Sequence, residues 1–442
     1  MLKLIVSRAK SADMRKNICN TFALLLTVST MFFLLPGCLK DHITKTYVIS
    51  RPVYTPKLTV LASINGDPAQ PISAAGKIYI KDQYIFLNDI DKGIHVYDNS
   101  NPAHPVQTAF LNIPGNEDIA IKGNMLYADM YGDLLTLDIS DLHHAALRSI
   151  QHMVFPMRTY LNGSMTILNG SLVDSSQVIT GWISKDTTVA SSDPGDDRLV
   201  YFPGGIMYAA AAYSSSAATG TGDATGVAGS MAKMVLINDY IYAITQTSSL
   251  GVISIKDAAN PALSTTVPVG AGLETIYPFQ DKLFLGSSLG VYMYDLSNPG
   301  SPARTGAFIH GRSCDPVITD GNYVYITLHA GTSCGGPNNE LDVVDITQLT
   351  ATGTGKVYPL TSPHGLCKDG NLLFVCDDFV NVYDASDGLN LKLLTTIAVK
   401  GGYDVMAGDH HLMVVTDQGL YQYSYDDNHQ FSQISFLPVI KG

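Results

Sequence analysis

Gly93-Ile94-His95-Val96-Tyr97-Asp98 is a short strand-like phrase, and it recurs along the chain. It returns at Asp133-Leu134-Leu135-Thr136-Leu137-Asp138, Gly251-Val252-Ile253-Ser254-Ile255-Lys256 and Gly290-Val291-Tyr292-Met293-Tyr294-Asp295. Three further copies are Glu340-Leu341-Asp342-Val343-Val344-Asp345, Phe379-Val380-Asn381-Val382-Tyr383-Asp384 and Gly419-Leu420-Tyr421-Gln422-Tyr423-Ser424. The closing positions lie 40, 118, 39, 50, 39 and 40 residues apart. A period near 40 built from short β-rich segments is the mark of a propeller with four strands per blade.

The flanks agree. A β-branched and aromatic strand precedes most copies, as in Tyr84-Ile85-Phe86-Leu87 and Tyr323-Val324-Tyr325-Ile326. Tight turns such as Lys122-Gly123-Asn124 and Asp369-Gly370-Asn371 supply the positive φ that hairpins need. After the phrase, Asp98 to Pro102 and Asp295 to Pro299 read as turns in which the Asp side chain accepts backbone N–H groups. The expected fold is all-β: a seven-bladed β-propeller of four-stranded blades over 57–442. An insertion, 158–230, separates the second and third blades. It holds Val178 to Ile183 with the only Trp, and the Ala/Ser/Gly-rich tract Ala209 to Gly220. It reads either as a functional projection or as a tolerated surface loop. Lys57 to Ile64 is expected to pair with the last blade and lock the ring. The alternative is that Phe431 to Val439 closes its own blade.

The amino terminus gives an address. Arg15 and Lys16 precede the apolar run Ile18 to Leu35, which ends in Leu35-Pro36-Gly37-Cys38. That pattern describes a secretory signal, residues 1–37. Cys after Leu-x-Gly resembles a bacterial lipobox, which implies acylation of Cys38 and a tether over 38–56. Lys40-Asp41 faintly resembles the charged tags that send some Gram-negative lipoproteins to the cell surface, and a solvated tether explains it equally. The expected location is the cell envelope, as an outer-membrane lipoprotein.

Composition fits export. The chain holds 27 basic and 39 acidic side chains, and the leader takes five of the former and one of the latter, which leaves 22 against 38. No basic cluster exists, so nucleic acid is excluded as a partner. Four cysteines remain. Cys314 and Cys334 can reach one rim and form a disulfide, whereas Cys367 and Cys376 flank the Gly370 turn unequally and are expected unpaired with each other. A zinc set of Cys314, Cys334, His364 and Cys376 lacks any closely spaced ligand pair to anchor it. Neither metal nor cofactor is expected.

Aligning the starts of the first strands, which line the central channel, brings polar residues to one point of the blade. Glu117, Asp118, Glu274, Asp315, His364 and Asp404 form a ring at the channel mouth, with Lys77 and Lys233 beside it. Such a ring binds a cation or a small polar ligand, or serves as acid and base; strand starts also simply bond neighbouring blades.

The stretches Leu341-Asp342-Val343-Val344-Asp345-Ile346, Leu135-Thr136-Leu137-Asp138-Ile139 and Ser313-Cys314-Asp315-Pro316-Val317, together with the lipobox, resemble the LVIVD-repeat bacterial surface lipoproteins. The resemblance implies a β-propeller at the envelope with no established activity. Three functional readings follow: a binding or scaffold module for a glycan, a peptide or an envelope protein; an envelope enzyme, with polysaccharide as a substrate class, that uses the channel ring; and a purely structural envelope protein.

Overall fold

A computed structural model describes residues 43–442, except 65, 156–158, 163–164, 169–175, 192–205, 208–226, 231, 311–315, 331–336, 348–354 and 441–442. The backbone divides into residues 1–48 with 186–198, and residues 49–185 with 199–442. In the first unit the described residues, 43–48 and 186–191, are extended. The second unit carries the repeat.

Seven four-stranded antiparallel blades follow one another in that unit. Blade 1 consists of Ala75–Lys81, Tyr84–Asp89, Gly93–Asp98 and Val106–Leu111, and blade 2 of Ile119–Lys122, Met125–Met130, Asp133–Asp138 and Ala146–Gln151. Blades 3 to 7 begin at Met234, Leu273, Val317, Leu366 and Gly402. Each quoted phrase is the third strand of its blade. One register differs from expectation. The third strand of blade 3 is Ser249–Ser254, and Ser254 pairs with Tyr240 as Asp295 pairs with Lys282. Ser254, two residues before Lys256, therefore takes the closing place. Ile255 extends the apolar run past the strand end, which hides the shift in the sequence.

The closing residues work as turn caps. Asp98, Asp138, Asp295, Asp345 and Asp384 each accept the N–H two residues on, at 2.9, 3.0, 2.9, 2.8 and 3.0 Å. All five acids lie below the usual carboxylate range: chiefly through the side chains of Arg148, Ser297 and Thr347 for Asp138, Asp295 and Asp345, and chiefly through these backbone bonds for Asp98 and Asp384.

Cores lie between blades. At the third position of every second strand stands a large apolar residue: Phe86, Tyr127, Tyr242, Phe284, Tyr325, Phe374 and Met413. The six aromatics are fully buried. Tyr127 donates to Ala258 O at 2.9 Å and Tyr242 to Pro299 O at 2.8 Å, each reaching the turn of the next blade. An aromatic body packs while its hydroxyl ties the neighbour. Apolar clusters run without a break from blade to blade, and one joins blade 7 to blade 1 through Ile72, Ile78, Ile85, Met406, Met413 and Val415.

The ring closes in the second of the two ways considered. Phe431–Pro438 pairs with Gly419–Tyr425 and completes blade 7 from its own residues. Lys57–Ala62 is a helix instead of a strand. Val60 is its buried residue, and Ile64, just past the cap at Ser63, is buried as well; so short an apolar run reads equally as either element. Across the closure, Asn99 and Gln422 exchange side-chain hydrogen bonds of 3.1 and 2.9 Å. Tyr403 donates to Ala75 O, and Ile440 N donates to Ile72 O at 2.7 Å.

The insertion adds strands of its own. Thr159–Asn162 pairs with Met165–Leu168. Residues near 180 run beside residues 53–57: Thr55 Oγ1 lies 2.7 Å from Thr180 Oγ1, and Lys57 N donates to Ser176 O at 2.7 Å. This edge docks on blade 2, where Tyr131 bonds Ile179 O and Lys57 pairs with Asp133. The tract Ala209 to Gly220 lies outside the described residues.

Candidate functional site

The start of each first strand must satisfy the N–H groups of the chain entering the blade. Carboxylates at the end of the second strand do this. Asp129 Oδ1 accepts Glu117 N at 2.8 Å and Asp118 N at 2.7 Å. Asp89 accepts Ser73 N and Ala74 N, each at 2.9 Å, and Asp377 accepts Thr361 N and Ser362 N at 2.9 and 2.5 Å. Burial pushes Asp89 upward, but its bonds to His95 and Ser73 outweigh that and hold it below its usual range.

Within this frame the channel ring divides into separate groups. Asp118 is saturated by protein donors. Its Oδ2 takes Lys77 Nζ at 2.9 Å, Lys233 N at 2.6 Å and Met234 N at 3.1 Å, and its Oδ1 takes Ile119 N at 2.9 Å. Glu117 pairs with Lys233 Nζ at 3.1 Å. Asn116, fully buried, bridges Asn88 and Asp129, each at 2.9 Å. These side chains join blades 1, 2 and 3 and neutralise one another.

Asp404 occupies in blade 7 the strand position of Asp118 in blade 2, and it is fully buried. It lies against Gly365 of blade 6, where an added Cβ would come within 3.0 Å of its Oδ1. Glu274, at the start of blade 4, is partly buried. His364 packs on His329 with ring centroids 4.6 Å apart. Burial lowers His364 to about 4, helped by His329, while Asp377 opposes the shift. His329 is lowered by burial as well. Both imidazoles are therefore neutral near pH 7. Asp315, Cys314, Cys334 and Cys38 lie outside the described residues.

The returning limb of the insertion occupies the channel. Val227–Ala228 pairs with the inner strand of blade 1 at Ile80 and Tyr79. Two residues later, fully buried Ser230 accepts Leu366 N of blade 6 at 3.0 Å. Gly229 lines a cavity with Lys77, Asn116, Glu117 and Asp118. That cavity measures about 10 Å³, room for about one water. Nothing in residues 227–230 announces this path, because the segment is held by backbone pairing and one serine.

Sequence reasoning also missed Asp342. It sits on the third strand of blade 5 and is 8 % exposed. Its Oδ1 has no hydrogen-bond partner among the described residues. Burial, and secondarily Glu340, pushes its carboxyl up to about 6, against the pull of His310. The polar residues at the same position in blades 1 and 6 are partnered. His95 contacts Asp89 at 3.0 Å and Gln107 at 2.8 Å, and Asn381 bonds Thr396 at 3.1 Å. Cys367 and Cys376 are free and buried, and burial raises both thiols well above their ordinary value.

Away from the channel, a groove of about 690 Å³ runs between the fourth strands of blades 6 and 7. Among the described residues, no group of three His, Cys, Asp or Glu side chains could hold a metal ion. No described helix is long and apolar enough to cross a membrane.

The LVIVD repeat model matches residues 73–109 and 116–150, which are blades 1 and 2. Blades 1 and 2 of this seven-bladed β-propeller carry LVIVD repeats. No curated protein matches the sequence. Among solved structures, a computationally designed protein, Ika8, aligns over 86 % of this chain and 92 % of its own, at 9 % identity and a TM-score of 0.48. The periplasmic gluconolactonase PpgL of Pseudomonas aeruginosa aligns over 89 % and 97 %, at 11 % identity and 0.44. BamB of Moraxella catarrhalis aligns over 85 % and 98 %, at 10 % identity and 0.42. At these identities and scores the likenesses carry no weight for function.

Proposed function

We propose that this LVIVD-repeat propeller is a binding or scaffold module of the bacterial envelope, exported by residues 1–37 and held to the outer membrane by lipid on Cys38. The signal-like run and the Leu35-Pro36-Gly37-Cys38 sequence support the anchoring. The observation that carries the binding reading is the state of the channel. Asp118 accepts four protein donors, and residues 227–230 pass through the space a channel ligand would need. An acid so saturated is a poor general base, because any proton it takes must displace a bond already made. Recognition then falls to the outer surface and rim. Protein envelope partners and glycans both suit such a surface.

The test uses the full chain expressed in a Gram-negative host. Radiolabelled palmitate enters the wild type and not Cys38→Ala, and Cys38→Ala leaves the membrane fraction. The solubilised protein captures a saccharide or an envelope protein without turning over polysaccharide. Polysaccharide cleavage lost on His364→Ala would replace this reading with the enzyme one.

A further inference from the structure

The groove between blades 6 and 7 differs in chemistry from the rest of the molecule. The protein carries 39 acidic against 27 basic side chains, yet no Lys, Arg, Asp or Glu lines this groove. Its polar groups are the amides of Asn428, Gln430 and Gln433, the hydroxyls of Thr395, Thr396 and Tyr423, and the imidazole of His429. Each amide offers both donors and an acceptor, and each hydroxyl offers one of each kind. Beside them stands Phe431, fixed by Tyr425 at 5.1 Å between centroids and by Phe374 edge-on at 6.0 Å. Phe431 is only partly buried, so some of its ring surface remains available. The flanking strands, Lys392–Ile397 and Phe431–Pro438, are the outer edges of their sheets, and no described strand pairs on them. Blade 1 differs here, because Gly66–Asp67 covers its outer edge. A volume of about 690 Å³ lies within the range of ligand-binding clefts, roughly 300–1,000 Å³.

Resting on the binding-module reading above, we propose that this groove holds a neutral oligosaccharide. Hydroxyl-rich, uncharged sugars match a lining of amides, hydroxyls and one imidazole without Lys, Arg, Asp or Glu. Their C–H faces suit an aromatic ring that is already immobilised. An anionic glycan would find no Lys or Arg here to balance its charge. A peptide adding to one of the open edges would need alternating side-chain pockets, and Leu394 is the exposed large apolar side chain of this lining.

Thr396 and Gln433 are both exposed; each makes one polar contact within its blade, Thr396 Oγ1 donating to Asn381 Oδ1 at 3.1 Å and Gln433 Oε1 accepting from Tyr423 at 3.5 Å, so replacing them leaves the apolar core untouched. The experiment titrates malto-, cello-, xylo- and manno-oligosaccharides into the detergent-solubilised full chain by calorimetry. The variants are Thr396→Ala/Gln433→Ala and, separately, Gln433→Glu, with melting curves to verify the fold. At least one neutral oligosaccharide binds the wild type. The double variant weakens it about tenfold, as expected for two lost hydrogen bonds, at an unchanged melting temperature. The groove assignment is overturned if no neutral sugar of the set binds, or if the double variant binds as tightly as the wild type. It is overturned equally if an extended peptide competes and the sugars do not. Capture of an envelope protein unaffected by these substitutions removes the groove and leaves the anchored module standing. Turnover of a polysaccharide removes both.

Discussion

Asp342 occupies a polar slot of the blade without the partner that the slot has elsewhere. In blade 1 the equivalent His95 faces Asp89, and in blade 6 Asn381 sits beside Asp377. Blade 5 carries Leu328 at that partner position, opposite Glu340. Burial then raises Asp342 to about 6 from 3.8. The shift of about two units corresponds to about 3 kcal/mol, an upper figure for a group not wholly enclosed. The folded state binds this proton more tightly than the unfolded state does. Stability therefore falls as pH rises from about 4 to about 6, and the cost is complete above that window. Asp342→Asn keeps the shape and removes the charge. The variant is expected to be more stable than the wild type at pH 7.5 by up to about 3 kcal/mol, and equal to it near pH 4. With about 2.1 cal/mol/K of unfolding entropy per residue over roughly 390 residues, that is about 3 to 4 °C in Tm. Scanning calorimetry of both proteins at the two pH values measures it, and comparing variant with wild type at each pH cancels the other carboxylates. An equal difference at both pH values, or a less stable variant at pH 7.5, would refute the reasoning.

Three further outcomes follow from the channel and the cores. Asp118→Ala strips an acceptor from Lys233 N, Met234 N and Lys77 Nζ; it should cost about 3 kcal/mol in urea unfolding, and Asp118→Asn about half of that. Ser230→Ala frees Leu366 N and should raise amide exchange at Leu366, Tyr79 and Ile80 while the outer strands stay protected; unchanged exchange there would place residues 227–230 outside the channel. Cys367 and Cys376, buried with raised thiols, should not react with a thiol reagent until the protein unfolds; fast labelling of the native state would contradict their burial.

Most of the architecture was legible because a propeller repeats its chemistry. A closing Asp caps a turn two residues on in five of the seven phrases, so the same residue type returns at the same place, and the blade count follows from counting. Local readings failed where a residue type served two geometries. The short apolar run at Val60 suits a helix or a strand, and Ser254 caps as an Asp does without looking like one. The strand starts were also legible: alignment placed Asp118 and Asp404 at one position of the blade. What each does there was not, since Asp118 meets Lys77 and Lys233 from two other blades, 41 and 115 residues away in the chain.

By itself the sequence determined a ring of seven like modules, the polarity of their turns and the point where the repeat is interrupted, because those rest on contacts between residues near in the chain. Only the tertiary structure decided that the interrupting segment returns through the channel from blade 1 to blade 6. Only it decided that Leu328 stands beside Asp342 where His95 and Asn381 have an Asp partner, and that a groove without Lys, Arg, Asp or Glu opens between blades 6 and 7. Each of these depends on groups far apart in sequence meeting at one place, and no local pattern encodes such a meeting.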